Sequence, residues 1–353
     1  MDFLYPIRLE ASLHETIWGG QRLAREGWKL LPSNDIALGE AWETEVSTVV
    51  QNGPLAGKTL AEVSQTWGIA LFGEQSMRIF GPRFPLLAKF IDANAKLSVQ
   101  VHPNDAYAAQ HEHGKLGKTE FWYILAAEPG ATIVHGFKAP TSREAVRQAI
   151  SNVTLESLLH EESVQAGDVI FVPAGTVHAI GSGVLLYELQ EYSDLTYRMY
   201  DYGRLTDKGQ PRELHIERSL DVTHYTASPA IKVTPVALDG GPGYEERCLV
   251  ACPYFVTREL LFKHNNNSRG YMKSKTTDSC VILTSLGAEV QVYYGTALEH
   301  SELLSQGQTM VLPAALGQYC IEGTARLMLS YVPDPQDEAW RRWEASNSVY
   351  ARE

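Results

Sequence analysis

Over much of the chain, apolar and polar positions alternate for roughly four to eight residues and then break at Gly, Pro or Asp. Lys96–His102, Phe121–Leu125, Ala131–Val134, Asp168–Val172 and Val184–Gln190 are segments of this kind. Side chains on a strand point alternately to its two faces, so these segments predict strands, and their even spacing predicts a β-sandwich or barrel. In Lys96–His102 the residues Leu97, Val99 and Val101 share one face and Ser98, Gln100 and His102 the other, with Pro103 closing the strand. Helical spacing interrupts the pattern in three places. Thr59–Phe72 is one. Thr141–Leu159 is the second: it opens on Thr-Ser-Arg-Glu, a capping box, and carries Ala145, Ala149 and Ile150 on one side. Gln336–Trp343, after Pro333 and Pro335, is the third.

One segment occurs twice. Gly167-Asp-Val-Ile-Phe-Val-Pro173-Ala-Gly-Thr-Val-His178 is echoed by Gly307-Gln-Thr-Met-Val-Leu-Pro313-Ala-Ala-Leu-Gly-Gln318, with the glycines and the prolines each 140 residues apart. In both copies Gly turns the chain into an apolar strand that Pro-Ala ends. Two copies of one β-barrel module account for this, and 353 residues are enough for two cores. The turn-rich Asp239-Gly-Gly-Pro-Gly243 marks the boundary. The expectation is an N-terminal catalytic unit over 1–238 and a degenerate copy over 239–353. Gln318 stands where the first copy has His178, so the second copy lacks whatever that histidine does.

Composition narrows the partners. Apolar residues make up 44% and charged residues 20%, a globular balance. A net charge of −12 argues against nucleic acid and anionic membranes as partners; an anionic small substrate needs a local Arg/Lys cluster. The N-terminus has no signal-peptide pattern, and no apolar run approaches the roughly 18 residues of a membrane span. The four cysteines form no CxxC pair, so reduced, buried thiols in a cytoplasmic protein are expected.

Candidate chemistry gathers around His178. Gly167-x5-Pro173-x-Gly175-x2-His178 is the second cupin motif in full, with His178 presented into a barrel mouth. Two upstream sets compete as its partners. The first is Gln100 and His102 on one strand with Glu120 on the next, where Lys118 shares the face of Glu120. Imidazole with carboxylate suits Zn²⁺, with Mn, Fe, Co or Ni as the alternatives left open. The second is His111-Glu112-His113. It matches the H-x-H of ordinary cupins but lies in a polar stretch without period-2 alternation, which reads as a surface loop or short helix. Glu188 and Gln190 alternate on one face of Val184–Gln190 and line the same cavity or hold its ligands in place. Among the aromatics, Trp122 and Tyr197 are the pocket candidates, while Trp18, Trp42, Tyr200 and Tyr202 read as core or rim.

These residues carry a resemblance. Leu97–Asp105, Gly117-Lys-Thr-Glu-Phe-Trp-Tyr123, Val172–Gly183 and Tyr187–Arg204 resemble type I mannose-6-phosphate isomerases, as do Trp18-Gly-Gly and Gly39-Glu-Ala-Trp-Glu43. The matches run in order from about residue 16 to 220, and the compact length is like that of the shorter bacterial branch. Gln in place of the first His of H-x-H, and a Glu 18 residues after His102, depart from the general cupin pattern but are features of this family. The resemblance implies a mainly β fold of two cupin (jelly-roll) barrels with a few short helices. It implies a single Zn²⁺ per chain on His102, Glu120 and His178, with Gln100 as a further ligand. It places Arg198 on the family's catalytic arginine.

The implied reaction is aldose–ketose isomerisation between mannose 6-phosphate and fructose 6-phosphate, in a monomer or homodimer. Arg198 then supplies fixed charge near the reacting oxygens or the phosphate, unless it pairs with Asp194 or Asp201 at the surface. Lys118 holds substrate, acts as a base if burial lowers its pKa, or pairs with an acid. Gln100 and Glu188 contact substrate, and Arg198, Lys118 and Arg204 are the phosphate candidates. Two other readings share the barrel: a cupin acting on another sugar or as an oxygenase, and a non-catalytic sugar-binding module.

Overall fold

A computed structural model describes residues 4–31, 36–205, 209–228, 231–263 and 270–350. Its strands in the first half are β1 (Ile7–Glu10), β2 (Ser12–Gly20), β3 (Leu38–Trp42), β4 (Val49–Val50), β5 (Leu86–Ala93), β6 (Val99–Val101), β7 (Glu120–Ala127), β8 (Thr132–Phe137), β9 (Leu159–Ser163), β10 (Val169–Val172), β11 (His178–Ile180), β12 (Val184–Glu191) and β13 (Tyr197–Tyr200). The second half adds β14 (Val236–Ala237), β15 (Tyr244–Ala251), β16 (Val256–Phe262), β17 (Gly270–Lys275), β18 (Val281–Ser285), β19 (Val290–Tyr294), β20 (His300–Leu304), β21 (Thr309–Leu312), β22 (Gln318–Gly323) and β23 (Arg326–Tyr331). No helix among the described residues is long and apolar enough to cross a membrane.

The strands form two similar barrels, as the repeat predicts. In the first, a sheet ordered β10-β7-β12-β5-β3-β2 faces a sheet ordered β13-β6-β11-β8-β9. In the second, β21-β18-β23-β16-β15-β14 faces β17-β22-β19-β20. The orders correspond strand for strand, except that β13 has no counterpart and β1 and β4 extend the second barrel's large sheet beyond β21.

Period-2 alternation sorts the side chains. Phe121, Tyr123, Tyr187 and Leu189 point out of the first barrel and join Ile282, Val311 and Met328 of the second in one shared core. Their neighbours Trp122, Ile124, Val184 and Leu186 point inward and fill the first barrel. On the other sheet, Val99, Val101, Val177 and Ala179 face outward under Val146, Ala149 and Ile150. Inward positions near one end of the barrel are instead polar, and there the site forms.

The helical expectations need adjustment. Thr59–Phe72 is two helices, α1 (Leu60–Trp67) and α2 (Ile69–Phe72), because Gly68 takes φ +49 between them. The first starts on a capping box in which Thr59 N–H donates to Glu62 at 2.8 Å and Glu62 N–H donates to Thr59 Oγ1 at 3.2 Å. Thr141–Leu159 shortens to α3 (Arg143–Ser151). Its cap is Ser142, whose Oγ accepts from Ala145 N–H at 3.2 Å, without the reciprocal half of a box. The buried side is Val146, Ala149 and Ile150, and Ala145 is exposed. Val153 at φ +57 follows the helix end, and Leu159 already begins β9. The terminal helix, α4 (Glu338–Ser346), is capped by Asp337. All four cysteines are free and buried. Burial pushes the Cys252 and Cys280 thiols up to about 12, which leaves them unreactive.

Candidate metal centre and cavity

His102, Glu120 and His178 converge from three separate stretches of chain. One ligand atom from each lies within 4.8 Å of the others, and all three side chains are buried. His178 Nε2 is 3.3 Å from Glu120 Oε1, and His102 Nε2 is 3.5 Å from Oε2. The strand ladders impose this arrangement: His178 faces Gln100 across β11–β6, and Glu120 sits between Val172 and Gln190. Gln100 Nε2 lies 3.2 Å from His178 Nε2.

The backbone fixes both imidazoles. His102 Nδ1–H donates to Leu195 O at 2.8 Å, and His178 Nδ1–H donates to Thr176 O at 2.8 Å. Each Nε2 therefore turns its lone pair toward Glu120, the tautomer a metal ligand needs. Burial, reinforced by Lys118, lowers His102 to about 3, and burial also lowers His178, so both rings are neutral near pH 7. Burial acts to raise Glu120, but the Lys118 ammonium and the imidazoles outweigh it and hold the carboxyl well below its usual range. Both carboxylate oxygens are buried with no hydrogen-bond donor in line. Two fixed nitrogens, a buried carboxylate and an adjacent amide make a donor set that fits a divalent cation.

Gly175 shapes the turn that delivers His178. It takes φ +87, and a Cβ there would lie 2.6 Å from the His224 ring. Its N–H donates to His102 O at 2.8 Å, tying the two ligand segments together. Gly175→Ala is expected to lower unfolding stability by about 1–3 kcal/mol, mainly through the left-handed backbone. A urea midpoint unchanged from the parent would remove the turn from this role.

Beside the centre lies a cavity of about 210 Å³. Gln100, Lys118, Glu188 and Arg198 all line it. Lys118 Nζ stands 2.5 Å from Glu120 Oε2 and 3.1 Å from His102 Nε2. Burial pulls its pKa down, but Glu120 and Glu188 outweigh this and raise it. Glu188 accepts from Trp122 Nε1–H at 2.9 Å and lies 3.4 Å from Lys89. Gln190 faces inward but donates to the carbonyls of Glu191 and Ser193, so it braces the turn after β12.

Arg198 does not take the surface pairing. Asp201 is engaged by Arg204 and Arg212, and Asp194 by Lys115. Arg198 donates to Glu213 O at 2.9 Å and approaches Ser98 Oγ at 3.4 Å. Burial and the nearby Arg212 lower its pKa from the usual arginine value. Arg204 turns to Asp201 and the Lys96 carbonyl and does not line the cavity.

The aromatic expectation is corrected. Trp122 is wholly buried behind Glu188, and Tyr197, beside Arg198 on β13, points to the opposite face and donates to Glu112 at 2.7 Å. The cavity's tryptophans are Trp18 and Trp42. Glu40, Lys89 and Arg212 line it too and were not anticipated. A lysine inside the apolar run Leu86–Ala93 was the available signal for Lys89. His111 ends a short surface helix, Asp105–His111, away from the centre, as the polar pattern predicted. His135 faces His178 across β8–β11, but Ser228 and the Phe171 carbonyl occupy both its ring nitrogens.

Two cupin barrels, the first bearing at its mouth a buried His/Glu/His group able to hold a metal ion, define a double-cupin protein. Residues 7–124 match the family described as phosphomannose isomerase type I, catalytic domain. The chain is 36% identical over 330 residues to mannose-6-phosphate isomerase of Streptococcus mutans, covering 92% of this chain and 98% of that one. It is 36% identical to mannose-6-phosphate isomerase ManA of Bacillus subtilis, covering 93% and 99%. The crystal structure of the mannose 6-phosphate isomerase from Bacillus subtilis superposes with a TM-score of 0.79 at 31% identity, over 92% of this chain and 99% of that one. A phosphomannose isomerase variant from Salmonella typhimurium, at 16% identity and a TM-score of 0.71, covers 93% and 99% and shares the fold. The chain belongs to the type I phosphomannose isomerase family.

Proposed function

We propose that the protein interconverts mannose 6-phosphate and fructose 6-phosphate with a zinc ion held by His102, Glu120 and His178, and with Gln100 as a further ligand. The observation that carries this reading is the pair of backbone-fixed Nε2 atoms facing the buried Glu120 carboxylate beside a charged cavity. A divalent cation at that position supplies Lewis-acid polarisation of the sugar oxygens at C1 and C2.

The chain's own residues do the rest. Arg198 places a fixed positive charge at the cavity wall next to Gln100, its cross-strand neighbour. Lys118 contributes an amine beside Glu120 at the cavity wall, placed to orient substrate. Glu188 Oε1, buried without a hydrogen-bond donor, offers an acceptor for a sugar hydroxyl. Residues 1–238 are the catalytic unit and 239–353 its degenerate copy. The segments β1, β4 and β14, which precede residue 239, lie in the second unit's sheet.

The direct test is a coupled assay with mannose 6-phosphate before and after chelation. Activity is expected to vanish when the metal is stripped and to return on adding Zn²⁺. Undiminished turnover by protein shown to be metal-free would reject a metal-dependent isomerase. Oxygen uptake instead of isomerisation would point to the oxygenase chemistry some cupins perform.

A further inference from the structure

The second barrel has a mouth of its own, built at the positions that make the first barrel's cavity. The ladders give the correspondence. His178 faces Gln100 and Gln318 faces Lys275. Val172 faces Glu120 and Leu312 faces Val281. Glu188 faces Lys89, while Leu329 faces Arg258. Glu40 faces Ile91, while Glu246 faces Leu260. Lys89 thus corresponds to Arg258, Gln100 to Lys275 and Glu40 to Glu246. Counting two residues along each strand, Lys118 corresponds to Ser279 and His102 to Thr277.

Arg258, Lys275, Thr277, Ser279 and Leu329 all line a cavity of about 200 Å³, against about 210 Å³ in the first barrel. The three metal-ligand positions have become Thr277, Val281 and Gln318, so no comparable donor set remains. What persists is a polar mouth without a metal. At its wall, Arg258 Nε lies 3.0 Å from Glu246 Oε1 but out of line, and this buried donor has no hydrogen-bond partner. Such a donor is costly unless something accepts from it.

We propose that this second mouth is a metal-free binding site for a neutral polyol of hexose size. The chemistry favours a polyol over an anion. The cations Arg258 and Lys275 are outnumbered by Asp278, Asp334 and Asp337 in the same cavity, with Glu246 already beside Arg258. Hydroxyls of Thr277 and Tyr319 add groups that both donate and accept, and Tyr331, whose O–H donates to Asp337 at 2.8 Å, adds an acceptor. A ring of hydroxyls satisfies such a mixture, whereas a phosphate meets net negative charge. The site stands on the geometry of the second barrel and does not depend on the reaction assigned to the first.

Equilibrium dialysis of holoenzyme against radiolabelled mannose at millimolar concentration tests it, with inorganic phosphate as the anionic probe. Thr277 is exposed at the rim, so Thr277→Trp fills the mouth without entering the core. The variant should bind one fewer mannose per chain than the parent, with kcat/KM for mannose 6-phosphate unchanged and phosphate binding the same in both. Equal mannose stoichiometry in the two proteins overturns the proposal, as does phosphate rather than mannose being lost in the variant. Crystals of the holoenzyme soaked in mannose give a second reading. Density for mannose against Arg258 and Tyr331 supports the site, and an empty second mouth at that concentration overturns it.

Discussion

Replacing His178 by alanine is expected to release the metal and reduce kcat/KM for mannose 6-phosphate by at least about 10³-fold. Removing one charge-stabilising group from an active site costs about 10²–10³, and here a ligand and its whole ion are lost together. His178 supplies one of only two imidazoles in the group, and its ring is set by Nδ1–H donation to Thr176 O at 2.8 Å. Glu120 alone with His102 leaves too few donors for tight binding. Elemental analysis should show zinc in the parent and almost none in the variant, with the fold retained by circular dichroism. His178→Gln gives the first barrel the residue that stands at position 318 in the second, and should fail in the same way. Full activity from variant protein lacking metal would end the assignment of this group as the catalytic centre.

How much of this could be read from the chain follows from which signals are local. The turn-strand-turn motif ending in His178 is contiguous, and the alternation placing Gln100 and His102 on one face needs only period 2. Both survive in three dimensions although the strand around Gln100 shortens to Val99–Val101. The repeat at 140 residues likewise foretold two barrels whose sheet orders correspond. Lys89 and Arg212 reach the cavity from segments that no motif marks, Glu40 lies in the Gly39–Glu43 motif but carries no sign there of facing the cavity, and only tertiary packing brings the three together. Tyr197 was misplaced for a reason visible in the sequence: it adjoins Arg198 on one strand, so the two cannot face the same cavity. Helix ends were blurred because Gly68 and Val153 adopt positive φ where the apolar spacing continues through them.

Arg198→Ala is expected to leave zinc in place and to lower kcat about 10²-fold, with a smaller change in KM. The side chain touches none of the proposed ligand atoms directly; its nearest link to the centre is Gln100, its partner across β13–β6, which in turn reaches His178. Metal content should therefore stay at the parent's level, and this separates the variant from His178→Ala. Among the described residues Arg198 has no carboxylate ion pair, while Lys89, Lys118 and Arg212 each have one. Of the cavity's cations, it is the one whose charge is least cancelled by a carboxylate. Fixed in advance by the Glu213 carbonyl, that charge costs no reorganisation when negative charge develops on the sugar oxygens. Such an interaction grows in the transition state and so appears in kcat. A guanidinium that only grips the phosphate would instead raise KM with kcat nearly intact. Arg198→Lys sharpens the distinction, because an ammonium restores charge without the planar fork. Partial recovery of kcat in the lysine variant marks the charge as the working element. An Arg198→Ala enzyme with parental kcat and raised KM would move Arg198 from the reacting oxygens to the phosphate.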